Sequence, residues 1–140
     1  MPSSMTVADL MSTDLVTLTE DETLADAQRC MARGRIRHLP VLRDRTLVGL
    51  LTHRDLLAAS FSIFAEVDSN EQRRIFGTVP VVEVMHRDVV IVPPTMSVSK
   101  AANILLDNKY GCLPVVEDSG AMVGIVTEAD FLRLTVRLLK

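Results

Sequence analysis

Tryptophan is missing from this chain of 140 residues and tyrosine occurs once, so the stacking platforms that hold single-stranded nucleic acid are scarce. A surplus of positive charge is missing too: 15 Lys and Arg stand against 18 Asp and Glu, a formal net charge of -3 at pH 7. Nucleic acid is therefore not an expected partner, and any phosphate must be held by locally placed cations or backbone amides. The two cysteines, Cys30 and Cys112, lack CxxC spacing, which suits a reduced intracellular protein rather than a disulfide scaffold. No apolar run is long enough to span a bilayer, and no basic stretch at the N-terminus leads into a hydrophobic one. The expectation is a cytoplasmic protein with no membrane partner.

Signatures of catalysis and metal binding are equally thin. His38, His53 and His86 are far apart in sequence, without the i, i+4 pair or paired cysteines of a zinc site. No glycine-rich phosphate loop or Ser-His-Asp set stands out, and the conspicuous carboxylates sit at helix starts rather than as a paired acid and base. No catalytic residue, metal or required cofactor is expected. What the chain does have is 48% hydrophobic residues, dominated by aliphatic side chains and ample for a buried core.

That apolar content is written twice. Residues 7–57 reappear in residues 81–132: Met11 falls on Met85, Val16 on Val90, Ala27 on Ala101 and Leu39-Pro40-Val41 on Leu113-Pro114-Val115, at an offset of 74. Beyond the turn the offset becomes 75, so that Val48-Gly49 falls on Val123-Gly124, Thr52 on Thr127 and Asp55 on Asp130. The extra residue lies near Ser119-Gly120, in a turn, where insertions are tolerated. Each copy reads β-α-β-β-α. The first strands are predicted over 15–19 and 89–92. The next helices are opened by Thr23 and by Ser97, carry apolar stripes of Leu24, Ala27 and Met31 and of Val98, Ala101, Ala102, Leu105 and Leu106, and stop at Gly34 and Asn108. Strands over 39–42 and 47–51, and over 113–116 and 122–126, form hairpins. The expected boundaries are a first motif at 7–57, a helical connector at 58–80 and a second motif with a C-terminal helix extension at 81–140. In the connector, 58–67 should prolong the preceding helix and 69–74 should be a solvated stretch. The fold class is α+β, with the two motifs expected to pack sheet to sheet about a pseudo-twofold axis.

The paired stretches HLPVLRDRTLVGLLTHRDLL and CLPVVEDSGAMVGIVTEADFL resemble the cystathionine-β-synthase (CBS) domain pair, or Bateman module. The shared elements are the LPV strand, the acidic turn, the VG strand ending in Thr and the Thr-x-x-Asp that opens the last helix. The resemblance implies a non-catalytic regulatory module that takes an adenosine-containing ligand (AMP, ADP, ATP or S-adenosylmethionine) and forms a homodimer with an unidentified regulated partner. It also implies two clefts, each combining one copy's Thr-x-x-Asp with the other's first strand and pre-LPV residues. One would join Thr52, Arg54 and Asp55 to Val90, Ile91, Tyr110, Gly111 and Cys112; the other would join Thr127 and Asp130 to Val16, Thr17, Leu18, Arg37 and His38. In this pattern the Asp accepts from the ribose hydroxyls. From residues alone, each Thr-x-x-Asp is also an ordinary capping box, and a strand running into a helix N-terminus is a natural phosphate site. A ligand-free adaptor that dimerises and docks to an enzyme or transporter therefore stays open. Leu56, Leu57, Phe131 and Leu132 are the apolar side chains expected to support dimer contacts.

Overall fold

The computed structural model describes residues 4–64, 67–108 and 110–140, with the side chains of 61–64 left out of the description. The chain is mixed α+β with two small sheets. Its elements are α1 (Val7–Leu10), β1 (Leu18–Thr19), α2 (Leu24–Gly34), β2 (His38–Arg43), β3 (Thr46–Thr52), α3 (His53–Phe64) and α4 (Ser69–Phe76). After a 3-10 turn at Val81–Glu83 come α5 (Val98–Asn108), β4 (Cys112–Val116), β5 (Met122–Thr127) and α6 (Glu128–Leu138). No helix among the described residues is long and apolar enough to cross a membrane.

Two compact units emerge, and they are out of phase with the sequence repeat. One is Val16–Val89; the other joins Val90–Lys140 to the N-terminal segment that ends at Leu15. The opening segment of each copy has thus been exchanged. Ser12 bridges Ile125 through bonds of 2.9 and 3.0 Å, and His86 bridges Leu50 through two bonds of 2.9 Å. Met11 and Met85 explain why the VG dipeptide recurs. A Cβ on Gly49 would collide with Met85 Sδ and lie 2.8 Å from its Cγ, and one on Gly124 would meet Met11 in the same way at 2.8 Å. Glycine is required there for close approach.

In the unit of residues 16–89, β1 runs parallel to β2, which pairs antiparallel with β3. Leu24, Ala27 and Met31 of α2 are buried against Leu18, Leu39, Val41, Leu51, Phe76 and Val81. The spacing puts those three on one helix face, and each fully buried leucine contributes about 1.5–3 kcal/mol of apolar burial. The other unit repeats the design with β4 against β5 and a core of Val7, Val92, Ala101, Leu105, Leu113, Val115 and Val126.

Several sequence expectations need correction. The first strands are shorter than predicted: β1 covers Leu18–Thr19, and its counterpart is a single parallel bridge from Val92 to Val115. Pro93 follows at once and has no N–H to continue the ladder. Helix α2 does not stop at a left-handed Gly34; Gly34 is its last residue and Arg35 takes the left-handed conformation at φ 52°. A Cβ at Gly34 would lie 2.7 Å from Ile36 Cδ1, so a side chain there would require the tip of Ile36 to shift. The stretch after Asp68 is helical rather than merely solvated: Asp68 accepts the Glu71 amide at 2.9 Å and α4 ends in buried Phe76. Leu106 leaves the predicted stripe and is 75% exposed, while Leu56 and Phe131 pack into their own units' cores.

Candidate functional site

The last strand of each hairpin ends in a threonine that opens the following helix, so its amide has no helical partner and needs one from a side chain. In the first copy the Thr52 amide donates to Asp55 Oδ2 at 2.7 Å, and the Asp55 amide donates to Thr52 Oγ1 at 3.1 Å. In the second, the Thr127 amide donates to Asp130 Oδ2 at 2.8 Å within a complete capping box. Each cap stabilises its helix by about 0.5–2 kcal/mol. Both carboxylates are nonetheless left with a second oxygen, Oδ1, turned away from the cap. These side chains are only 14% (Asp55) and 10% (Asp130) exposed.

The two spare oxygens have different partners. His86 Nε2 lies 2.7 Å from Asp55 Oδ1, and Arg133 Nη2 donates to Asp130 Oδ1 at 2.8 Å. Sequence reasoning gave neither residue a part in this site, His86 having been weighed only as a metal ligand. Arg133 had a local signal, since i and i+3 are neighbours on a helix. His86 had none: it lies 31 residues from Asp55 and reaches it because the exchanged segment bridges Leu50, two residues before Thr52.

The remaining candidates are placed unit by unit. In residues 16–89, Val16 is exposed, Thr17 is half-buried and Leu18 is core. His38 pairs in register with Thr52, and the Arg37 carbonyl accepts the His53 amide at 2.9 Å. Arg37 and His53 then line one groove with Arg35, Leu57 and Ser60. The pre-LPV residues therefore sit beside the Thr-x-x-Asp of their own copy, and Arg54 is exposed on the first turn of α3. In the other unit Cys112 pairs in register with Thr127, preceded by half-buried Gly111 and exposed Tyr110. Val90 and Ile91 are exposed just ahead of buried Val92. Asp130 and Arg133 line a groove with Asp9, Leu10, Leu132 and Val136.

Burial pushes the Cys112 thiol up to about 12, which keeps it protonated and unreactive at neutral pH. Among the described residues no three His, Cys, Asp or Glu side chains converge as a metal site.

Comparison with known proteins identifies the family behind the duplicated fold. The CBS domain family matches at residues 7–62 and 72–137. The protein MJ1225 of Methanocaldococcus jannaschii is 34% identical over 129 residues, covering 91% of this chain and 46% of that protein. The chain thus spans about half the length of that relative. Among solved structures, Arabidopsis thaliana CBSX2 in complex with AMP is 28% identical with a TM-score of 0.81, covering 97% of this chain and 99% of that one. The CBS domain pair of protein MJ0100, in complex with 5'-methylthioadenosine and S-adenosyl-L-methionine, is 26% identical with a TM-score of 0.76, covering 94% of this chain and 99% of that one. With both copies matched across most of its length, the chain belongs to the CBS domain family.

Proposed function

We propose that this chain is a non-catalytic regulatory module that binds an adenosine-containing ligand, with Asp55 and Asp130 accepting from ribose hydroxyls. The observation that carries the reading is the pair of nearly buried carboxylates, each spending one oxygen on its helix cap and keeping the other for an exchangeable side-chain partner. A ribose cis-diol carries two hydroxyl donors, and the carboxylate oxygen not committed to the cap is a charged acceptor for them. AMP, 5'-methylthioadenosine and S-adenosylmethionine, the ligands of the two structural relatives, have in common adenine on a ribose ring with its cis-diol. Recognition of adenine and ribose, rather than of phosphate, is thus the common denominator. ADP and ATP belong to the same class. The backbone of residues 16–18 and 90–92 is proposed to read the adenine edge, with Arg37, His38, Arg54, Tyr110, Gly111 and Cys112 lining the rest.

A thermal-shift screen with adenosine, AMP, ADP, ATP and S-adenosylmethionine tests the reading. Ligand at 100 times its dissociation constant adds about 2.7 kcal/mol to folded-state stability, a rise of several degrees at about 2–8 degrees per kcal/mol. Flat melting curves at millimolar ligand would leave the adaptor reading in its place.

A second proposal concerns assembly as a homodimer. Leu57 on α3 is 49% exposed, and on α6 Leu132, Val136 and Leu138 are 67%, 56% and 53% exposed. These apolar side chains at matching helices favour a second copy as partner. A monomer mass by light scattering at tens of micromolar protein would refute it.

A further inference from the structure

We propose that His86 is an internal competitor for the ligand at Asp55: its imidazole holds the carboxylate oxygen that a ribose diol needs, so ligand must displace it. The inference rests on the reading of Asp55 as a ribose acceptor and adds what governs that acceptor. Asp55 Oδ2 is committed to the Thr52 amide at 2.7 Å, which leaves Oδ1, and His86 Nε2 occupies Oδ1 at 2.7 Å. The histidine itself is 62% exposed, so it can swing away without disturbing a core. Its backbone, by contrast, is anchored to Leu50 by two hydrogen bonds, which returns the ring to the carboxylate when the ligand leaves.

The repeat supplies an internal control. Ser12 stands where His86 does, with the same backbone bridge to the opposite hairpin, and Asp130 Oδ1 is held instead by Arg133. Arginine keeps its charge at every physiological pH, whereas imidazole changes charge between about pH 5 and 8. As pH falls, an imidazolium binds the Asp55 carboxylate more tightly and the diol competes less well. The charged residues nearest this pair along the chain are His53 and Arg54 in the first turn of α3 and Arg87 and Asp88 beyond His86, and the Arg37 carbonyl accepts the His53 amide. His53 is the other imidazole among them and therefore needs its own control.

Adenosine is the probe, because it carries the diol without a titrating phosphate. In an Asp130→Asn background, calorimetric titration should find adenosine about two- to fivefold weaker at about pH 5.5 than at about pH 8, the ordinary worth of an exposed ion pair. His86→Ser in that background should bind more tightly at the lower pH and lose the slope, while His53→Gln keeps it. In the unsubstituted protein the His86 ring resonance, assigned by its loss in His86→Ser, should shift on saturation with adenosine. That readout does not depend on Asp130→Asn folding. A slope that survives His86→Ser, or a His86 resonance that stays put, overturns the inference while the Asp55 reading stands if Asp55→Ala abolishes the binding. Adenosine binding that is unaffected by Asp55→Ala in the same background sinks the reading, and the inference with it.

Discussion

Asp55 and Asp130 open matching helices with matching caps, yet one unit completes its aspartate with an imidazole from an exchanged segment and the other with an arginine one turn along the same helix. The helices α2 and α5 differ in the same manner. Thr23 and Asp26 cap α2 reciprocally, whereas α5 has Ser97 accepting the Lys100 amide at 3.1 Å and no carboxylate to return the bond. The contacts of Gly49 with Met85 and of Gly124 with Met11 are, by contrast, kept in both units. Duplication has preserved the contacts in which a methionine side chain packs on a strand glycine, which packing punishes when they change. It has let vary the exposed side chains that finish a polar group, where several chemistries serve. The copies are one scaffold carrying two electrostatic settings.

Removing a core leucine is the largest break in this likeness. Leu39 and Leu113 occupy matching strand positions and both are 0% exposed, so Leu39→Ala and Leu113→Ala should each cost about 2–5 kcal/mol in urea denaturation. A cost below about 1 kcal/mol at either would show that one unit's core collapses around the void and that the two are not equivalently packed. The glycine contacts come next. Gly49→Ala and Gly124→Ala should each destabilise by about 1–3 kcal/mol through overpacking. Adding Met85→Ala to the first and Met11→Ala to the second should relieve the clash, with a coupling of about 0.5–3 kcal/mol in double-mutant cycles. Additive costs would mean that the thioether does not oppose the new methyl group. Crossing the pairs, Gly49→Ala with Met11→Ala, should give additive costs, because each methionine packs on the glycine of its own unit.

How far these features were legible in sequence depended on how local their causes are. The helices α2, α5 and α6 followed from apolar spacing and capping residues, and both hairpins followed from short polar turns between apolar runs, because each signal acts within a few residues. The Thr-x-x-Asp boxes were readable for the same reason. Helix α4 was missed: SNEQRR reads as solvent-exposed polar chain, and only the Asp68 cap and the burial of Phe76 at its far end make it a helix. The exchange of opening segments was invisible, since a repeat fixes which residues correspond but not which copy each segment packs on. The His86 contact with Asp55 is a consequence of that exchange. It was hidden for as long as His86 was weighed only as a metal ligand.

The smallest expected effect concerns the caps of α2 and α5, and it turns the comparison into a pH experiment. The Asp26 carboxyl is held below the usual carboxylate range first by the Thr23 amide, with the Thr23 hydroxyl and Arg29 adding to the effect and partial burial opposing it. A carboxyl whose pKa is lowered by folding contributes its stability above its unfolded value, about 3.9, and loses it as pH falls through the lower folded value. Asp26→Asn should therefore cost about 0.5–1 kcal/mol at neutral pH, and the cost should fade as wild type and variant converge in strong acid. Helix α5 has no such carboxylate, so the converse change should install one: Lys100→Glu places an acceptor at the position that returns a bond to Ser97. That variant should gain about 0.3–1 kcal/mol near neutrality and acquire an acid-labile component that wild-type α5 lacks. Urea midpoints measured from about pH 7 down to about pH 2.5 for the three proteins decide it. A cost for Asp26→Asn that persists undiminished at the lowest pH would show that Asp26 acts through packing rather than charge, and the contrast between the two caps would then carry no electrostatic meaning.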